Sequence, residues 1–90
     1  MRPGKKDDVL FTDSEWRVLS RQLCLTDRQA QTVKLALAGR CDKEIAAGLG
    51  VSVPTVRGHF KCLFNKLQVQ SRHELVMKVV RHYLKNLRPA

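Results

Sequence analysis

The side chains with chemistry to offer in this 90-residue chain gather between positions 43 and 66. Arg57 and Lys61 stand four residues apart, so on a helix they project from one face about 5–6 Å from each other. A major groove roughly 12 Å wide admits one helix, and an arginine there can grip guanine O6 and N7 with two hydrogen bonds. Gly58 costs helix propensity of about 1 kcal/mol relative to alanine, yet it removes a side chain where a helix would approach a partner most closely. Lys43, Thr55 and the free amides at a helix start are of the type that holds phosphates and sets a docking angle without reading bases. His59 reads as a partly buried orienting residue rather than an acid, a base or a ligand.

Other chemistries find little support. His59 and Cys62 lie three apart and His73 is further on, with no acid near them in sequence, no paired carboxylates and no glycine-rich phosphate cradle. Cys24, Cys41 and Cys62 are odd in number and widely spaced, which fits neither a disulfide framework nor a zinc knuckle. No enzyme, cofactor or metal is therefore expected, although an exposed Cys62 beside the groove-facing residues leaves a redox switch open. Reduced cysteines, no apolar run of the roughly 20 residues needed to span a membrane and no signal-peptide core after Met1 point to the cytoplasm.

Charge agrees with a polyanionic partner. Seventeen Lys and Arg against eight Asp and Glu give a formal +9, and twelve of the basic residues but only four of the acidic ones follow position 24. Such an imbalance repels itself and usually has nucleic acid as its counterpart. A chain of this length excludes barrels and doubly wound sheets and fits one small domain, in which a second subunit can supply part of the stability.

The elements that would position these residues are helices. Thr12 to Glu15, Thr26 to Gln29 and Ser71 to Glu74 have the capping-box spacing, and Phe11 with Trp16 has that of a hydrophobic staple. The spacing predicts a first helix to about Gln22, with residues 1–11 as a flexible arm. A second helix from Asp27 carries Ala30, Val33, Ala36 and Leu37 and stops at Gly39. Asp42 is the expected cap of a short helix, Lys43 to Leu49, ended by Gly50. Ser52 caps a longer one that accepts Pro54 in its first turn and runs to about Leu67. Its apolar positions Val56, Phe60, Leu63, Phe64 and Leu67 assign one face to the core, leaving Arg57, Gly58, Lys61, Cys62, Asn65 and Lys66 on the other. A last helix runs from Arg72 to about Leu87. The short helix, tight turn and longer basic helix have the form of a helix-turn-helix, a form that any small bundle with a three-residue connection also shows.

One resemblance decides between these. The ordered run Leu25-Thr26-Asp27-Arg28, Ala38-Gly39, Asp42-Lys43-Glu44-Ile45-Ala46, Leu49-Gly50-Val51-Ser52, Thr55-Val56-Arg57-Gly58-His59, Lys66-Leu67 and Ser71-Arg72 resembles the DNA-binding domain of the LuxR-type, or GerE-type, bacterial transcription regulators. It covers about residues 25–87 and implies a four-helix domain, its third helix in the major groove, that pairs on inverted or direct half-sites. The expected fold is thus an all-α small helical bundle: an extra N-terminal helix over 12–24 and a LuxR-type domain over 25–90. Carried over residue by residue, the resemblance implies base contacts by Arg57, Gly58 and Lys61 and phosphate contacts by Lys43, Thr55 and His59. Gln29 and Gln31 replace glutamates usual in the family, so a neutral hydrogen bond is expected where an ion pair with Arg72 would stand.

The last helix has an apolar stripe wider than one face of a small bundle needs. Val76, Val80 and Tyr83 are expected at a homodimer interface, as related proteins are thought to pair, with Leu75, Val79 and Leu84 facing inward. The alternative is a stripe wholly buried under the first helix. With only 24 residues before the domain and no room for a sensor, the expected function is a stand-alone, sequence-specific regulator binding double-stranded DNA. The alternative from another class is an interaction protein of the same fold that sequesters a partner regulator.

Overall fold

A computed structural model describes residues 11–86, and five helices account for most of them: α1 (Asp13–Gln22), α2 (Asp27–Leu37), α3 (Asp42–Leu49), α4 (Val53–Leu67) and α5 (Arg72–Asn86). No strand occurs among the described residues, as an all-α bundle requires. Residues 1–10 of the expected arm, and Leu87 at the expected end of the last helix, lie outside the described residues.

Local chemistry sets the helix starts. Thr12 and Thr26 each accept an amide hydrogen bond from the residue three further on, while Glu15 and Gln29 reach back to the cap amides at 2.9 and 3.0 Å. Ser52 caps α4 through the Thr55 amide with Pro54 in the first turn. Two expectations need correction. The N-cap of α3 is Cys41, not Asp42: the Cys41 amide donates to Glu44 Oε1 at 2.9 Å, which leaves the Asp42 carboxylate free for other partners. At α5, Ser71 accepts from the Glu74 amide as expected, but Glu74 accepts from the amide of Gln70, one residue before the cap. Gly39 and Gly50 end α2 and α3 with φ of +80° and +70°, where a Cβ would be strained.

α4 is the central element, lying against α2, α3 and α5, with α5 also on α2 and α1 on α2. Its buried Val56, Phe60, Leu63 and Leu67 meet Val33 and Ala36 of α2, Ile45 and Ala46 of α3, and Leu75 and Val79 of α5 in one core. Each large apolar side chain so buried is worth about 1.5–3 kcal/mol. Ala30 and Leu37 are only half-buried, whereas Thr32, outside the expected stripe, is fully buried because its hydroxyl donates to the Arg28 carbonyl at 2.9 Å.

α1 extends this core. Trp16 and Leu19 are buried, and Phe11, placed at the end of the arm but also in a staple with Trp16 by its spacing, is only 5% exposed. The Phe11 ring packs on Trp16 at 5.1 Å and stacks on Tyr83 of α5 at 4.2 Å, while the Tyr83 hydroxyl donates to Glu15. The expected facing of α5 is corrected at one position, Leu84. Tyr83 turns toward α1, and Leu84, expected in the core, is 49% exposed because Phe11 and Glu15 recruit its neighbour instead.

Candidate nucleic-acid interface

The turn between α3 and α4 is tied down by backbone. Left-handed Gly50 reverses the chain, the Val51 amide donates to the Ala46 carbonyl at 3.0 Å, and Ser52 opens α4 three residues after α3 ends. Arg28 of α2 holds the same corner by donating to the Leu49 carbonyl at 2.8 Å. The core-facing stripe of α4 thereby fixes its rotation, and Arg57, Gly58, Lys61, Cys62, Asn65 and Lys66 are all exposed.

Within that set the residues differ in employment. Lys61 is exposed, and a Cβ on Gly58 would meet nothing within 4 Å, so no described residue fills the space before this part of α4. Lys66 faces elsewhere: its ammonium donates to the Cys24 carbonyl at 2.6 Å and to Gln29 Oε1 at 2.8 Å, bracing α4 against the start of α2. The neutral partner expected for Arg72 therefore belongs to Lys66. Thr55 is exposed with its hydroxyl 2.9 Å from that of Ser52, and Lys43 is exposed at the start of α3 beside Cys41, Asp42 and Arg72. His59 is half-buried, with Nε2 enclosed and without a partner among the described residues, so it does not offer that nitrogen to the surface as Lys43 and Thr55 offer their polar ends.

Asp42 is the residue that sequence reading misassigned. One carboxylate oxygen accepts from Arg72 Nη2, and the other lies 3.4 Å from Arg57 Nε. The Arg72 guanidinium is also 4.1 Å from the centre of the Phe60 ring and 3.5 Å from the Arg40 carbonyl. The Arg72 hydrogen bond, opposed by some desolvation and helped by the nearby Arg57 charge, holds the Asp42 carboxyl below the usual carboxylate range. Glu44 is lowered too, because it accepts the Cys41 amide. The legible signal was the Cys41-x-x-Glu44 spacing; cysteine is not among the usual capping residues, so aspartate was preferred.

The three cysteines are free and exposed, and no group of three or more His, Cys, Asp and Glu side chains among the described residues could hold a metal ion. No described helix is long and apolar enough to cross a membrane.

A basic helix carried on a short helix and a tight glycine turn, with its opposite face locked into a bundle, defines the helix-turn-helix class. Residues 23–79 match the family described as bacterial regulatory proteins, luxR family, and the chain belongs to it. Similar proteins include MalT of Serratia proteamaculans, an HTH-type transcriptional regulator, 34% identical over 71 residues covering 79% of this chain and 8% of MalT. DesR of Bacillus subtilis, a transcriptional regulatory protein, is 35% identical over 54 residues, 60% of this chain and 27% of DesR. YhjB of Escherichia coli is 28% identical over 74 residues, 77% of this chain and 37% of YhjB. The chain thus spans little more than a third of these relatives at most, and the names of MalT and DesR are those of regulators rather than enzymes. No solved structure matches the chain.

Proposed function

We propose that residues 25–90 form a sequence-specific DNA-binding domain of a cytoplasmic transcription regulator, with 12–24 as an accessory helix, and that α4 docks in the major groove. The observation carrying this reading is the division of α4: Val56, Phe60, Leu63 and Leu67 are buried while Arg57, Gly58 and Lys61 stay exposed on the opposite side. In this reading Arg57, Gly58 and Lys61 meet base edges, and Lys43, Thr55 and His59 lie along the phosphates. Two copies pair through α5, each reading a half-site about one helical turn from the other. No cofactor is needed for this, and the relatives' names as transcriptional regulators agree with it.

The test is selection of binding sites from random duplexes, followed by titration at several salt concentrations. Log affinity should fall linearly with log salt, Arg57→Ala should cost about 1–3 kcal/mol and relax preference at one base pair, and Lys61→Ala should weaken binding. Intact binding by both variants would remove α4 from the groove. A flat salt response with no selected sequence would replace DNA by a protein partner.

A further inference from the structure

We propose that Asp42 is a positioning residue for base readout, holding the Arg57 guanidinium at Nε so that its two terminal nitrogens meet one guanine end-on. The proposal rests on the reading that α4 enters the major groove. It goes beyond that reading by assigning part of the specificity to a residue on another helix that itself touches no base.

A guanidinium has five N–H donors in one plane. Occupying Nε leaves the pair of terminal nitrogens, the ends that match guanine O6 and N7. In the structure Nε is the atom facing Asp42, and the terminal nitrogens of Arg57 have no partner among the described residues. Arg57 is otherwise a long side chain, 70% exposed, with nothing else among the described residues to choose its direction.

The carboxylate is itself held. Its second oxygen accepts from Arg72, and Arg72 is fixed by the Phe60 ring and the Arg40 carbonyl, so Asp42 cannot swing away with Arg57. It is free for this work because Cys41 and Glu44 supply the cap of α3. For binding strength alone, an anion beside a surface meant for phosphates is unfavourable. Its value lies in orientation.

The test uses the consensus duplex selected by the wild-type chain, its single-base-pair variants and a scrambled duplex. Arg57→Ala should reduce discrimination at one base pair by roughly 5- to 100-fold. Asp42→Asn should remove most of the same discrimination at the same base pair, while affinity for the scrambled duplex holds or rises because a negative charge has gone. The double variant should lose no more than Arg57→Ala alone. A merely structural Asp42 predicts the opposite: affinity falling alike on every duplex with preference unchanged, or losses that multiply in the double variant, and either outcome overturns the proposal.

A measurement on the unaltered chain guards against a variant that fails to fold. The Nε–H resonance of Arg57 should shift with the acid titration of Asp42, and a resonance indifferent to that titration also overturns it. If selection returns no consensus at all, the DNA reading fails and takes this one with it. If Arg57→Ala changes the consensus and Asp42→Asn does not, only the role of Asp42 fails.

Discussion

At the scale of single residues, the glycines separate backbone need from partner need. Gly39 and Gly50 have open space for a Cβ but a positive φ, so their cost of substitution is conformational. Gly58 has the same open space within an ordinary helix, and nothing among the described residues requires a glycine there. Gly58→Ala should therefore raise stability, by up to about 1 kcal/mol on helix propensity. If α4 lies against DNA at this point, the same methyl lowers affinity for the selected duplex. Thermal melts and fluorescence anisotropy on one preparation read the two effects, and a variant that gains stability with no loss of affinity would make Gly58 an ordinary surface residue.

Among the elements, α3, α4 and α5 meet at Asp42, which takes Arg57 from one and Arg72 from another. The carboxyl is depressed in the folded chain, chiefly by the Arg72 hydrogen bond, against an ordinary value of 3.8. A depressed carboxylate contributes stability that is fully present above the unfolded value and is lost as pH falls through the folded one. Denaturant unfolding from pH 6 downward should show this loss beginning near pH 4, with Glu44 adding to it in the same direction. Asp42→Asn should flatten the curve; parallel curves for the two proteins would mean that Asp42 carries none of the dependence. Helix starts were legible where one Thr or Ser met a Glu or Gln at the right spacing, as at Thr12 and Thr26. Asp42 was not, because a residue's own capping preference says nothing about arginines 15 and 30 positions away.

At the scale of the whole molecule, α1 decides which part of α5 remains available. Tyr83 is engaged by Phe11 and Glu15, while Val76 and Val80 are half-buried and Leu84 is exposed at the same four-residue spacing along one flank. Pairing of two copies is thus expected on Val76, Val80 and Leu84. Leu84→Asp should shift the chain toward monomer in sedimentation equilibrium and lower affinity for a duplex with two half-sites more than for one with a single half-site. Wild-type chain that stays monomeric on a two-half-site duplex would reject this pairing.

The amino-acid pattern alone was enough for the number and order of the helices, the glycine stops, the core face of α4 and the set of residues on its exposed face. These are local or periodic properties: a capping box spans four residues, and an amphipathic stripe repeats every turn. Tertiary structure decided what those residues do for one another. It turned Asp42 from a cap into a shared partner of two arginines, gave Lys66 to Gln29 and the Cys24 carbonyl, and set Tyr83 against Phe11 and Glu15 while leaving Leu84 exposed. Each depends on residues 15 to 72 positions apart, whose meeting is set by how the helices pack rather than by any spacing along the chain.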